Sequence, residues 1–135
     1  MKAYISVSFS KRKSVEKEIA ALVNTLNDFK ISAFVFVDNY KFESNQEQQM
    51  MATAMSDIDN CDILIAETSD KAIGVGIEAG YAKAKNKIVI YIRRIDKEHS
   101  TTVSGISNFQ IIYRDTTDLK KQLSEVLLKI KQTNN

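Results

Sequence analysis

The stretch DILIAETSDKAIGVGIEAGYAKAKNKIVIYI, residues 62–92, decides the fold of this chain. It begins with the nearly continuous apolar run DILIAET and ends with a second run, KIVIYI. Runs of this kind are typical of central strands in a parallel sheet, where both faces are covered. The segment between them, near 76–86, has the apolar spacing of a helix. The stretch therefore predicts a strand, a helix and a second strand parallel to the first.

The same alternation continues on both sides of this stretch. Short apolar runs rich in β-branched and aromatic residues predict strands at 2–9, 32–38, 62–68, 87–93 and 109–114. Helical spacing predicts helices at 14–29, 46–60, 76–86 and 117–132. Ser44 and Glu47 form an S-x-x-E capping box before the second helix. We expect one domain, residues 1–135, with a doubly wound (flavodoxin-like or Rossmann-like) α/β fold: a five-stranded parallel sheet with helices on both faces.

The composition is that of an ordinary globular protein, with 44% apolar and 27% charged residues. The longest apolar runs are too short to cross a membrane, and MKAYISVSF alternates apolar and polar residues as a first strand does, unlike a signal peptide. The single cysteine, Cys61, fits a reducing cytoplasm, and His99 stands without metal-ligand spacing around it. A net charge of +2 is too small to indicate nucleic acid binding. We therefore expect a cytoplasmic protein that binds no membrane, nucleic acid, metal ion or cofactor.

Basic residues follow two of the predicted strands, at the edge of the sheet where ligands of doubly wound folds bind. Lys11, Arg12 and Lys13 come after the first strand, and Arg93 and Arg94 come at the end of the fourth. This pattern indicates an anionic ligand such as a phosphate. Ordinary solvated loops, which also carry charge, explain it equally well.

Three of the four glycines in the chain surround one carboxylate, Glu78. The segment is no dinucleotide-binding fingerprint, because its third glycine is Gly80 and it follows the third strand rather than the first. We interpret Gly74 and Gly76 as a turn that lets a ligand approach the backbone. Glu78 would then lie in the first turn of a helix, where the dipole and the free N–H groups favour an ionised carboxylate suited to act as nucleophile or base. An ordinary acidic residue at a helix start is the alternative interpretation.

These residues resemble the nucleoside 2-deoxyribosyltransferase superfamily, most of all its 2′-deoxynucleoside 5′-phosphate N-hydrolases. The likeness rests on the stretch 62–92, with its G-x-G-x-E-x-G-x-A pattern, and on AYISVSF in the first strand. It implies an enzyme, deoxyribosyltransferase or N-hydrolase, that cleaves the N-glycosidic bond of a (2′-deoxy)nucleoside or its 5′-monophosphate. In such enzymes a glutamate attacks the anomeric carbon and forms a covalent glycosyl-enzyme, which water or a second base then resolves.

The resemblance also implies roles for individual residues. Glu78 corresponds to the nucleophile, and Tyr4 corresponds to a tyrosine that orients it. The phosphate-binding loop after the first strand corresponds to Ser8 and Ser10, with Lys11 and Arg12 as phosphate partners, and a serine from the neighbouring subunit of a homodimer corresponds to Ser100. Gly74 and Gly76, in the turn described above, complete the expected substrate-binding residues.

Two positions depart from the family pattern. An aspartate implicated in binding or protonating the leaving base is expected eight residues before Asp62, where this chain has Ala54. Asp57, one helical turn on, is our candidate replacement. An Asp or Ser is expected six residues before the nucleophile, where this chain has Ala72, and Asp70 is the candidate there. These departures keep two other functions open: a catalytically weakened nucleotide-binding or sensing module, and an interaction domain of the TIR type.

Two further clusters have two interpretations each. Tyr40 and Phe42 follow the second strand and would either stack on a nucleobase or cover the core. Met50, Met51 and Met55 share the second helix and indicate core packing or, alternatively, an adaptable dimer surface.

Overall fold

Five parallel strands form one sheet in the computed structural model, which describes residues 1–133. The strand order is β2-β1-β3-β4-β5. The strands are β1 Lys2–Ser6, β2 Ser32–Val35, β3 Ile63–Glu67, β4 Ile88–Arg94 and β5 Phe109–Tyr113. All four pairings are parallel, which confirms the predicted fold class.

Six α-helices and one 3₁₀ helix lie between or after these strands within the described residues. The helices are α1 Glu16–Asp28, α2 Phe36–Asn39, α3 Glu47–Asp59, α4 Ile73–Ala84, α5 Thr101–Ile106 and α6 Thr116–Thr133, and the 3₁₀ helix is Phe9–Val15. Among residues 1–133, no helix is long and apolar enough to cross a membrane.

Period-two alternation along the strands divides the core into two layers. Ile63 and Ile65 of β3 face α1 and α6, in a layer that also contains Leu22 and Leu123. Leu64 and its neighbour Ala66 face the other way, toward α3, α4 and α5. Each layer buries one face of the sheet, so the helices cover both faces as expected.

The order in which strands are added to the sheet changes direction beside β1. The connection from β1 to β2 runs through α1 on one face, and the connection from β3 to β4 runs through α4 on the other. Since β1 and β3 are neighbours, the segments that leave their carboxyl ends move apart to opposite faces, and the crevice between such segments is where doubly wound sheets bind ligands. Tyr4 of β1 lies on the α4 side of this crevice.

Four local predictions need correction. The chain leaves β2 at Val35 and forms α2 where a strand to residue 38 was expected, because the side-chain amide of Asn39 donates to the Val35 carbonyl and closes a helical turn. The first residues of the expected helix at 14–29 belong to the 3₁₀ helix. The expected capping box is wrong: α3 is preceded by Gln46, whose side-chain carbonyl accepts from the Glu43 amide. Finally, α5 was not predicted, because a six-residue helix has too few turns to show a period.

Candidate active site

Glu78 points from α4 toward β1, where two hydroxyl groups meet its carboxylate. Tyr4 donates a hydrogen bond from its hydroxyl to Oε2 over 2.7 Å. Ser6 lies on the same face of β1, and its Oγ is 3.4 Å from both carboxylate oxygens. Within residues 1–133, Oε1 therefore has only the longer contact from Ser6, while Oε2 is firmly oriented by Tyr4.

The position of Glu78 in its helix differs from the prediction. α4 begins at Ile73, so Glu78 is its sixth residue and lies in the second turn. The unpaired N–H groups belong to the first turn and do not reach it. Burial raises the pKa of the Glu78 carboxyl, and the hydrogen bonds from Tyr4 and Ser6 oppose that rise. The expected stabilisation of the anion by the helix terminus is thus wrong, since desolvation is the largest influence and the β1 hydroxyls supply the compensation.

Tyr4 is fully buried in the layer beneath α4. Burial and the charge of Glu78 both raise the pKa of its hydroxyl, so it remains a proton donor to the carboxylate at any physiological pH. The ring packs against Phe36 with a centroid separation of 5.8 Å. This packing fixes the direction of the hydroxyl, and with it the position of Oε2.

Ser6 was missed in the sequence. It is 1% exposed, and it stands two residues after Tyr4, so strand alternation puts both side chains on one face. The spacing of two residues was the available signal, because a serine on the same strand face as Tyr4 can contact the same carboxylate, Glu78.

The glycines lie inside α4 rather than in a turn before it. Ala72 is extended, and Gly74 and Gly76 follow in the first helical turn. Neither has a positive φ, and a Cβ added to either would meet nothing within 4 Å. The glycines therefore leave open space beside the start of the helix. That a ligand approaches the backbone there stays a prediction.

A cavity of about 380 Å³ opens between the amino-terminal ends of α4 and α5, and we call it the α4–α5 cavity. It contains three predicted substrate-binding residues, Asp70, Gly76 and Ser100. Glu78 does not line it, because two residues along a helix turn the side chain by about 200° from Gly76. The cavity and the carboxylate therefore lie on different sides of α4.

The loop after β1 forms the opposite rim. Ser8 is buried, and its hydroxyl lies 3.2 Å from that of Ser10. Lys11 follows in the 3₁₀ helix, where its backbone amide donates to the Ser8 carbonyl. Arg12 is engaged elsewhere: it holds Asp38 in a two-point ion pair at 2.8 Å for each contact. Arg12 would therefore have to release Asp38 before it could bind a phosphate at this rim.

Arg93 and Arg94, at the end of β4, are also committed within the chain. Arg93 donates to the backbone carbonyls of Arg94, Ile95 and Lys97. Arg94 pairs with Asp96 at 2.8 and 2.9 Å. These arginines stabilise the turn after β4, so the anionic-ligand interpretation of this rim receives no support from their geometry.

Asp57 lies on α3 and accepts a hydrogen bond of 2.9 Å from the hydroxyl of Tyr40. Its charge also contributes to the raised pKa of Tyr4, so it lies on the Tyr4 side of the sheet. Ala54, on the same helix, is buried in the core. Tyr40 packs on Phe36 with ring centroids 5.0 Å apart, in a cluster that includes Phe42. The structure thus brings Asp57 to an aromatic surface next to Tyr4 rather than into contact with Glu78.

Ser100 caps α5 by accepting from the Val103 amide over 3.4 Å. Its own amide donates to the hydroxyl of Tyr91, which is 2.9 Å from Nδ1 of His99. The histidine therefore has a defined partner beneath the loop. Ser100 lines the α4–α5 cavity of its own chain. Among residues 1–133, no group of three or more His, Cys, Asp or Glu side chains is arranged to hold a metal ion.

Solved structures share this fold, and three examples show the extent of the likeness. The CMP N-glycosidase BcmB of Clostridium botulinum is 20% identical, covers 93% of this chain and 99% of its own, and superposes with a TM-score of 0.69. A 2-deoxyribosyltransferase from Bacillus psychrosaccharolyticus is 15% identical over 89% of this chain and 90% of its own, with a TM-score of 0.65. A conserved protein from Enterococcus faecalis V583 is 14% identical over 93% and 98%, with a TM-score of 0.71.

Sequence comparison gives the family. No curated protein sequence matches the chain. The family model described as nucleoside 2-deoxyribosyltransferase matches residues 4–122, a range that contains both Tyr4 and Glu78. This match supports activity of the nucleoside 2-deoxyribosyltransferase type in general. The chain belongs to the nucleoside 2-deoxyribosyltransferase family.

Proposed function

We propose that this chain cleaves the N-glycosidic bond of a 2′-deoxynucleoside or its 5′-monophosphate, with Glu78 as the nucleophile. The observation that carries the proposal is the 2.7 Å hydrogen bond from Tyr4 to Oε2 of Glu78, at the crevice beside β1. One carboxylate oxygen is fixed by a buried tyrosine, which leaves Oε1 for bond formation. A pre-oriented carboxylate needs little rearrangement to reach an anomeric carbon.

The reaction has two steps, as in retaining glycosidases. Oε1 of Glu78 attacks C1′ while the C1′–N bond breaks, and the electron pair of that bond goes to the base nitrogen, which takes a proton from a general acid, for which Asp57 is our candidate. Water then adds its oxygen to C1′, releases the Glu78 carboxylate and returns a proton to the acid. Tyr4 keeps its hydrogen bond to Oε2 throughout and stabilises the carboxylate before and after the covalent intermediate.

A 5′-monophosphate fits the rim after β1 better than a free nucleoside does. Ser8 and Ser10 present adjacent hydroxyl groups, and Lys11 supplies a positive charge next to them. The start of α4, with the uncrowded Gly74, adds backbone N–H groups that favour an anion. This chemistry, together with the likeness to a CMP N-glycosidase, favours the N-hydrolase type over transfer between two bases.

Asp57 and Tyr40 are our candidates for binding the leaving base. A nucleobase departs more easily when its ring receives a proton or a hydrogen bond. Tyr40 is partly exposed, so its ring offers a surface for stacking, and Asp57 lies behind its hydroxyl. The pair would substitute for the aspartate that Ala54 replaces.

We also propose a homodimer that covers the site. Ile73 and Ile77 lie one turn apart on α4 and are 85% and 52% exposed. Phe9, after β1, is 76% exposed. These apolar side chains are exposed on α4 and just after β1, and burying them against a second copy would remove them from water. Light scattering at micromolar concentration is expected to give a dimer, and an active species of 15 kDa would contradict it.

The test of the proposed activity is incubation with a panel of 2′-deoxynucleosides, ribonucleosides and their 5′-monophosphates. Free base, measured by chromatography, is the expected product with a 2′-deoxynucleoside 5′-monophosphate, and Glu78→Gln is the matched control. Binding of a nucleotide without base release would instead support the weakened binding module that Ala54 and Ala72 suggest. The family match favours the enzyme and the weakened binding module over a TIR-type interaction domain.

A further inference from the structure

A second buried carboxylate, Glu67, lies at the end of β3 and takes no part in the proposed chemistry. It is 2% exposed and faces the α1 side of the sheet, away from Glu78. Oε1 accepts from the backbone amide of Ser69 over 2.6 Å. Oε2 accepts from the hydroxyl of Tyr113, on β5, over 3.0 Å. Both oxygens are therefore occupied by donors of the chain itself.

Ser69 extends this contact to β4. Its Oγ accepts from the backbone amide of Arg94 over 3.0 Å and lies 3.4 Å from the hydroxyl of Tyr113. The neighbouring Thr68 donates from its hydroxyl to the carbonyl of Ile92 over 2.9 Å. The ends of three strands are thus joined at the point where the chain leaves β3.

The chain then forms the loop 68–72, which leads into α4. A cavity of about 320 Å³ lies on its α1 side, with Glu18, Ser69, Asp70 and Tyr113 among its lining residues. On its other side the loop lines the α4–α5 cavity, to which Asp70 also belongs. The loop is therefore a wall between two cavities, and Glu67 holds its first residues in place.

We propose that Glu67 is a positioning residue: through Ser69 and Tyr113 it fixes the loop 68–72 and thereby sets how tightly substrate binds. The chemistry at Glu78 does not depend on it, because Glu78 is oriented from β1 by Tyr4 and Ser6. The proposal rests on the proposed function, because the loop carries Asp70, a predicted substrate-binding residue, and leads into the start of α4, where that function places the phosphate.

A carboxylate is a costly residue at a position this deeply buried. Burial raises the pKa of Glu67, and the charge of Glu18 on α1 acts in the same direction, while the contacts from Ser69 and Tyr113 oppose them. An apolar residue of similar size would avoid the desolvation. It would also leave the Ser69 N–H and the Tyr113 hydroxyl without their acceptor. The carboxylate is thus matched to the donors that the turn into the loop creates.

Glu67→Leu and Glu67→Gln separate this role from packing alone. Leucine removes both acceptor oxygens. Glutamine can preserve both contacts. Its side-chain carbonyl accepts from the Ser69 amide, and its side-chain NH₂ donates to the Tyr113 oxygen. The Tyr113 hydroxyl then donates instead to Ser69 Oγ, which is 3.4 Å away. Thr25→Val is the matched control, because it removes a buried side-chain hydrogen bond on the same side of the sheet, to the Ala21 carbonyl, far from the loop.

Two measurements are made on each variant: hydrogen exchange of the Ser69 amide, and kcat and KM for a 2′-deoxynucleoside 5′-monophosphate. Glu67→Leu is expected to speed Ser69 exchange and raise KM, each by about tenfold or more, with kcat within about threefold. Glu67→Gln and Thr25→Val are expected to stay within about threefold of the parent on both. Should the leucine variant not fold, Tyr113→Phe, which removes one of the two donors, is expected to raise KM by a smaller factor.

The proposal is overturned if KM is unchanged in Glu67→Leu, or if Thr25→Val raises it equally. It is also overturned if Ser69 exchange in Glu67→Leu matches the parent. Should the parent release no base at all, the proposed function fails, and calorimetric titration with the same monophosphate replaces KM. A Kd raised about tenfold in Glu67→Leu would then support the positioning role by itself, and an unchanged Kd would refute it.

Discussion

Two glutamate–tyrosine pairs lie on opposite faces of the same sheet. Glu78 and Tyr4 meet on the α4 face over 2.7 Å, and Glu67 and Tyr113 meet on the α1 face over 3.0 Å. Both tyrosines are buried, and both carboxyl pKa values are raised by burial. The pairs differ in what the second oxygen does.

In the Glu67 pair the second oxygen accepts a backbone N–H at 2.6 Å, so the carboxylate is saturated and fully enclosed. In the Glu78 pair the second oxygen has only the 3.4 Å contact from Ser6, and the residue is half-buried. The same chemical pair can therefore hold a loop or present a nucleophile. The difference is whether the local backbone supplies a donor for the remaining oxygen.

The largest effect is expected from neutralising the two carboxylates separately. Glu78→Gln is expected to lower kcat at least about 10³-fold, because an amide cannot form the glycosyl intermediate. Glu67→Gln, measured in the same base-release assay, is expected to stay within about threefold, because its contacts survive the exchange. Equal losses in the two variants would erase the distinction between the pairs.

A third carboxylate, Asp57, lies on the Tyr4 side of the sheet and sharpens the comparison. Asp57→Asn is expected to lower base release about 10²-fold, and least for substrates whose base leaves easily, because a proton donor to the base is lost. The new amide oxygen still accepts from Tyr40, so the fold is retained. Asp59→Asn is the matched control, since Asp59 lies on the same helix and accepts from the hydroxyl of Tyr81 over 2.9 Å.

A silent Asp57→Asn would contradict this role. If Ala54→Asp at the same time raised base release, the natural chain would be a weakened enzyme or a nucleotide binder. Rates with several nucleobases, measured by chromatography, separate these outcomes.

Removing the tyrosines is expected to have a smaller effect of two different kinds. Tyr4→Phe is expected to lower kcat about tenfold. The hydrogen bond from Tyr4 lowers the pKa of Glu78, so its loss raises that pKa further and moves the acid limb of the kcat profile to higher pH. Tyr113→Phe is expected to leave the acid limb in place and change KM. A profile that shifts in both variants would show that the two pairs are coupled.

Much of this arrangement follows from sequence alone. The apolar runs around residues 62–92 predicted parallel central strands, and strand alternation with helices predicted the doubly wound sheet. The glycines around Glu78 marked the open side of α4. These features are local, and their periods are long enough to identify.

Other features depend on contacts between distant segments. Arg12 was expected at a phosphate, but Asp38, 26 residues further on, engages it. Glu67 stands in the run DILIAET, where a continuous apolar pattern does not show which face a polar residue takes. Its partner Tyr113 is 46 residues away, and no spacing rule connects them. Sequence therefore identified Glu78, which lies within a glycine motif, and missed the pair of Glu67 and Tyr113, which come together only in the folded sheet.

The smallest expected effect concerns stability against pH, and it isolates the enclosed pair. Burial raises the folded-state pKa of Glu67 above its unfolded value, so its favourable contribution is fully present below the unfolded pKa and is lost as pH rises through the folded one. Glutamine is neutral throughout and escapes this loss. The Tm of Glu67→Gln minus that of the parent is therefore expected to grow as pH rises from the ordinary pKa of a glutamate through the raised folded-state pKa of Glu67, and then to level off. Thermal unfolding of both proteins across this range measures it, with Thr25→Val as the control whose Tm difference stays constant. A difference that is flat or falls with pH would mean that the contacts from Ser69 and Tyr113 outweigh burial. The ionised form would then be stabilised more at Glu67 than at Glu78.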